Sequence, residues 1–364
     1  MSYYILPKIN NIIIVNPESS LTSLNPCVSH SLFNYYNEIN NQIINCKLKD
    51  KDYSSNNYEN LIKIVNPYEY IFSKVPGSQY SVSKLKPKSN LFYDFLEACI
   101  TLNIFDFYKF EPIKTLHLTN HNNDTIECFE MLRENYNDEI FYYNEINNET
   151  INLIGDAKFD FLVFESRNTN LNEYISSLIE IIMIILKNQS LNGSCVIKIS
   201  DIFYKPVIDI IYILSSLYEK TYILKPNTSN ITTFDKYIIC KTLKSNNEKN
   251  SNFKLNYYKL LVFLKKLNGK NISSIINYEL PYYFTMKIHD INIIFGQQQL
   301  ESLNLALNIL KNKNKDDKIE TIKKTNIQKS VAWCEKFKIP CNKFSEKINI
   351  FLPINKEQNV IENA

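Results

Sequence analysis

Two short runs, FDFLVF at 159–164 and SCVIKI at 194–199, constrain this chain more than any other feature in it. Each is apolar almost throughout rather than alternating, so each reads as a strand covered on both faces. Segments with helical spacing stand around them: Phe92 to Leu102, Asp124 to Glu134, Asn172 to Lys187 and Pro206 to Leu217. A further strand is expected at Thr115 to Leu118, and two more at Thr221 to Leu224 and Lys236 to Lys241. Strands alternating with helices predict an α/β fold, with a mostly parallel sheet and helices on both faces. No helix separates the last two strands, which predicts an antiparallel hairpin at the sheet edge. Asn192 and Gly193 read as the turn ahead of SCVIKI.

The flanks have a different texture. Residues 1–80 read as an N-terminal extension, with a short β-rich piece at Ile12 to Val15 and asparagine-rich loops at 38–58. Residues 81–245 carry the alternating pattern, and 246–364 read as a C-terminal helical region. Helices are expected there at 253–267, 297–311 and 318–337, with a lysine-rich linker between the last two. No internal period is visible. The chain's abundance of Lys, Asn, Ile, Tyr and Phe follows AT-rich codons, so the many aromatic residues mark no particular base-stacking platform. A net charge of +3 permits a local basic patch without announcing a nucleic-acid binder.

Eight scattered cysteines form no C-x-x-C pair, and they read as reduced, mostly buried thiols of a cytosolic or nuclear-type compartment. No secretory leader is expected at the start, where Pro7, Lys8 and two asparagines break the apolar run. Tyr174 to Leu186 is too short to span a bilayer and reads as a buried helix.

The strand at Thr115 to Leu118 is followed by Thr119, Asn120, His121, Asn122, Asn123 and Asp124. A loop in this position ordinarily carries glycines, because backbone must approach a cofactor closely and take positive φ. The whole interval between Gly77 and Gly155 lacks one. Asn and Asp visit the left-handed region more readily than other residues, so the turn itself survives, while their side chains occupy cofactor space.

The block NGSCVIKISDIFYKPVIDIIYILSSLYEKTYILKPNTSNITTFDKYIICK, 192–241, resembles the second half of FtsJ-like ribose 2′-O-methyltransferases, above all cap-type members from large DNA viruses. SVSKLKPKSNLFYDFLEAC at 81–99 resembles the helix that precedes the first strand in that family. TLHLTNHNNDTIECF resembles its strand and glycine loop, and FDFLVFESR its acidic strand. FGQQQLESLNLAL and NIQKSVAWCEKFKIP are similar to C-terminal segments of viral members.

The resemblance implies a Rossmann-like methyltransferase sheet, S-adenosylmethionine as cofactor, RNA (including capped mRNA) as partner, and a cytoplasmic or virion location. It also implies a Lys–Asp–Lys–Glu tetrad that positions a ribose hydroxyl and handles its proton. The matching positions are Asp94, Glu165, Lys198 and Asp235, of which only Lys198 is the family residue. Glu165 and Asp235 keep a carboxylate with its reach changed by one methylene, and Asp94 reverses a charge. Asn90 and Asn230 stand where the family has arginines. Asn120, His121 and Asn123 occupy the cofactor loop.

These departures imply an impaired homologue acting as an RNA-binding or stimulatory partner of an active capping subunit. An active RNA 2′-O-methyltransferase with a diverged pocket is the alternative, and a structural protein reusing the fold is a third reading. Outside the resemblance, Lys198 on an apolar strand is costly unless paired, which marks it as a site residue. Glu165 serves equally as a helix cap and Asp235 as an edge-strand charge. His117 and His121 with Asp124 would suggest a metal site only if strand and loop placement happened to bring them together, so no metal site is expected.

Overall fold

The computed structural model describes residues 3–49, 55–119, 124–146, 148–167, 169–244, 247–311 and 316–342. The first part of the chain contributes β1 (Tyr3–Ile5), β2 (Glu18–Ser20), α1 (His30–Lys49) and α2 (Ser55–Val65). Next come α3 (Leu91–Thr101), β3 (Lys114–Leu118), α4 (Asp124–Leu132), β4 (Glu139–Tyr143) and α5 (Asn148–Ile154). The centre is β5 (Phe159–Glu165), α6 (Leu171–Asn188), β6 (Gln189–Ile199), α7 (Lys205–Leu217), β7 (Tyr218–Leu224) and β8 (Lys236–Leu243). The remainder is α8 (Asn247–Lys265), β9 (Asn271–Ser274), α9 (Tyr282–Lys311) and α10 (Asp316–Lys336).

Seven strands form one sheet in the order β1-β7-β8-β6-β5-β3-β4. Neighbours from β4 through β6 are parallel, while β8 runs antiparallel between β6 and β7. Alternate residues of each strand feed opposite faces. Leu162, Phe164, Cys195 and Ile197 pack with Ile182 of α6, Ile211 of α7, Leu260 of α8 and Ile288 of α9. Phe161, Val163, Val196 and Ile239 pack with Phe95 of α3, Phe129 of α4 and Trp333 of α10. Both faces are therefore covered, as the two apolar runs require.

Several expectations are corrected by tertiary contacts. The hairpin β7–β8 forms, but β7 is not the edge: Tyr3–Ile5 adds antiparallel to it and covers its free hydrogen-bonding groups. The asparagine-rich 38–49 stretch is helical, because α1 gains a partner in α9. Ile12 to Val15 is not a strand; Ile13 and Val15 are anchored irregularly, with Val15 N donating to Asn256 Oδ1 at 3.0 Å. Helix α9 begins at Tyr282, well before the expected 297, behind the helix-starting Pro281.

The Asn-Gly pair does not end a strand. Asn192 takes φ +61° inside β6, where the register against β5 shifts between Phe159 and Phe161. Gly193 is required there by space: a Cβ would lie 2.8 Å from Asp160 O.

Among the described residues no helix is long and apolar enough to cross a membrane. The stretch Tyr174 to Leu186 lies within the buried part of α6. Cys99, Cys128, Cys195, Cys240 and Cys334 are buried free thiols.

Candidate functional site

The carboxyl ends of β5 and β6 bring two sequence-predicted residues together. Glu165 closes β5, and the parallel register sets it directly opposite Lys198 on β6. Cross-strand partners share a face, so both side chains point toward α3. Lys198 Nζ donates to Glu165 Oε1 at 2.7 Å, with the lysine side chain 21% and the glutamate side chain 10% exposed. Burial pulls the Lys198 ammonium down, but Glu165, then Asp235 and Asp94, outweigh it and hold the pKa above the ordinary value. Tyr237 of β8 lies opposite Lys198 on the other side and is buried.

Helix α3 supplies two buried acids one turn apart. Asp94 Oδ1 accepts from Thr228 Oγ1 at 2.5 Å. Burial pushes its carboxyl up to about 7, although Thr228 and the Lys198 and Lys225 charges pull against this. Glu97 accepts from Asn227 N at 3.0 Å, Asn227 Nδ2 at 2.8 Å, Thr228 N at 3.3 Å and Trp333 Nε1 at 2.9 Å. Burial raises the Glu97 pKa despite those donors. Asn90, ahead of α3, donates to Thr228 O at 2.6 Å. Segment 225–229 is thus tied to α3 at the sheet's carboxyl edge.

Two lysines that the sequence reading did not single out sit beside this cluster. Lys225, half-buried, donates to the carbonyls of Asn230 (3.2 Å), Thr233 (2.7 Å) and Asp235 (3.0 Å). Burial lowers it to about 8. Lys236 donates to Ser200 O at 3.1 Å and lies 5.7 Å from the Phe234 ring centre. Burial lowers it to about 7, helped by the Lys225 charge. Their signal in the sequence was a lysine abutting an apolar strand, in YILKP and DKYII. Asn230 Oδ1 is occupied within its own turn by Thr232 N at 2.9 Å and Thr232 Oγ1 at 2.8 Å. Asp235 follows that turn and immediately precedes β8.

At the end of β3, Asn120, His121 and Asn123 lie outside the described residues. Their flanks are described. Thr119 and Asp124 are buried, and Thr119 Oγ1 and Asp124 Oδ1 have no hydrogen-bond partner among the described residues. The other Asp124 oxygen accepts from Ser89 Oγ. Two uncommitted polar atoms bracketing one loop are a donor and acceptor set that a polar cofactor can use.

His117 is part of the core: its Nδ1 meets Thr125 Oγ1 at 3.0 Å, between Phe95 and Phe129. Burial drives its pKa down to about 3, so the ring is neutral. Among the described residues no group of three His, Cys, Asp or Glu side chains could hold a metal. Cavities of about 1010, 590 and 560 Å³ lie elsewhere on the surface and are not lined by Lys198 or Glu165.

An antiparallel strand inserted beside the last parallel one, with helices on both faces, marks a particular doubly wound sheet. The fold is a Rossmann-like α/β sheet with one antiparallel strand between two parallel ones. No protein-family model and no curated protein matches the chain. Solved structures do. One is phosphoethanolamine N-methyltransferase 2 of Haemonchus contortus, in complex with phosphomonomethylethanolamine and S-adenosylhomocysteine: 10% identity, TM-score 0.30, 41% of this chain and 38% of that one. The same nematode enzyme with S-adenosyl-L-methionine aligns at 10% identity and TM-score 0.28 over the same shares. A probable spermidine synthase of Corynebacterium glutamicum aligns at 8% identity and TM-score 0.32, over 56% of this chain and 89% of that one. The alignment spans well under half the length of the nematode enzyme.

Proposed function

We propose that the chain is an FtsJ-like RNA cap 2′-O-methyltransferase homologue with impaired catalysis, acting as an RNA-binding or stimulatory partner subunit. One observation carries this reading: the Lys198 ammonium is paired with Glu165 at 2.7 Å, and the acid Asp94, not a cation, stands beyond it. A lysine that accepts the ribose hydroxyl proton must first be neutral. Here the surrounding carboxylates raise its pKa, so it keeps its proton when the reaction needs it released. Asp94 is itself bound to Thr228 and about half ionised near neutrality, so Glu165 does most of this holding.

S-adenosylmethionine, when bound, supplies the methyl group. Thr119 and Asp124 are the described residues that would hold it, while the glycine-free loop between them weakens that hold. An active enzyme is the second reading. It draws on the same pair, since Glu165 and Lys198 still meet at adjoining strand ends with Lys198 partly open to solvent.

Calorimetric titration with S-adenosylmethionine and methyl transfer to capped and uncapped RNA test both readings. The impaired reading expects weak binding, no methyl transfer by the wild type, and an effect of Lys198→Ala on stability or RNA affinity alone. Methyl incorporation by the wild type that Lys198→Ala abolishes would establish the active reading instead. Submicromolar cofactor binding would refute the account of the loop.

A further inference from the structure

A cleft of about 590 Å³ lies between segment 72–87 and the end of the described chain at Asn342. Its lining includes Lys74, Lys84 and Lys86, with Phe72 and Tyr80, and no carboxylate among the described residues. The three lysines are exposed and have no ion-pair partner among the described residues. Phe72 is 38% and Tyr80 59% exposed, large fractions for rings beside a cavity.

The walls are held by backbone, not by chance contact of side chains. Val75 N donates to Tyr80 O at 3.0 Å, across a tight turn that Gly77 makes with φ +79°. Lys84 N donates to Pro340 O and Asn342 N to Val82 O, both at 2.8 Å, and Asn342 Nδ2 donates to Ser81 O at 2.9 Å. Val75 and Val82 root this wall in the core that contains Trp333 and Phe337.

We infer that this cleft binds single-stranded RNA, stacking a base on Tyr80 and Phe72 and neutralising the adjoining phosphates with Lys74, Lys84 and Lys86. Three uncompensated cations favour a polyanion, and two open rings favour an unpaired base over a paired helix or an acidic peptide. A volume of about 590 Å³ falls within the range of small-ligand sites, enough for a nucleotide. The cleft is also placed to serve the candidate site. From Lys86 the chain passes Ser89, which donates to Asp124, and Asn90, which donates to Thr228, and then enters α3 with Asp94. This short segment joins the cleft to the candidate site. The inference rests on the RNA-partner reading and assigns it a place.

The test is fluorescence anisotropy of the full chain with a labelled single-stranded RNA of about 12 nucleotides, a length matched to such grooves. Lys84→Glu with Lys86→Glu should weaken binding about tenfold or more and flatten the slope of log K against log salt by about 1.4, two phosphate contacts' worth. Tyr80→Ala should weaken it about fivefold or more with the slope unchanged. Lys158→Glu with Lys254→Glu, in the cavity at the amino ends of β5 and β6, should change affinity less than twofold.

All these side chains are exposed, and circular dichroism with urea midpoints checks that each variant folds. RNA binding that the cleft variants leave intact would overturn this assignment while the RNA-partner reading stands. Loss with the lysine pair but not with Tyr80→Ala would reduce the cleft to an unspecific polyanion surface and also overturn it. No RNA binding by the wild type would end both.

Discussion

Replacing Asp94 by Asn should remove a pH-dependent weakness from the heart of the candidate site. Asp94 is fully buried, and its carboxyl is raised from the ordinary 3.8 to about 7, chiefly by burial. Below pH ~4 the group is protonated in both folded and unfolded chains, so its favourable contribution is wholly present. As pH rises from ~4 toward ~7, the unfolded chain sheds a proton that the folded chain keeps, and stability is progressively lost. Above ~7 the loss is complete.

At about 1.4 kcal/mol per pH unit, this loss amounts to on the order of 4 kcal/mol, of which roughly 2 falls between pH 5 and pH 7. Asp94→Asn keeps the shape and an acceptor for Thr228 but cannot ionise. Its stability relative to wild type should therefore improve by roughly 3 kcal/mol between pH 5 and pH 8. Lys225 and Lys236, lowered to about 8 and about 7, act in the opposite sense, gaining stability as pH rises, and largely cancel in the difference. Urea unfolding at four pH values measures it, read by the fluorescence of Trp333, the single tryptophan, whose Nε1 donates to Glu97. Parallel stability curves for variant and wild type from pH 5 to pH 8, or a gap that narrows, would refute the reasoning.

Two further outcomes follow from buried polar groups. Arg133→Lys should cost roughly 3 kcal/mol, read as a lower urea midpoint, because the guanidinium fork holds Asp138 through Nε at 2.5 Å and the Tyr108 and Glu111 carbonyls at 2.9 and 2.8 Å. An unchanged midpoint would show that a lysine reaches the same partners. Glu97→Ala should cost about 3 kcal/mol and shift Trp333 emission, since Trp333 Nε1 and the backbone N–H groups of Asn227 and Thr228 lose their acceptor. Emission and thermal midpoint both equal to wild type would contradict the assigned hydrogen bonds.

The sequence by itself determined the layered α/β architecture and its central strands. FDFLVF and SCVIKI are apolar on both faces, and only a sheet sandwiched between helices can bury them. The order of those strands also marked Lys198 as a residue at a carboxyl end, because a charge on such a strand must find a partner. What the partner is was decided by the tertiary structure. The hydrogen-bond register between β5 and β6 sets Glu165 opposite Lys198, and a slip of one residue would have turned Glu165 to the other face.

Local periodicity is equally silent about contacts between segments far apart in the chain. It could not show that Thr228 would bond to Asp94, or that Lys225 would donate to three carbonyls. Nor could it show that three residues at the start would complete the sheet, or that asparagine-rich 38–49 would be helical against α9. In each case the local signal is weak or contrary, and the free energy comes from burial and hydrogen bonds that exist only once distant segments have met.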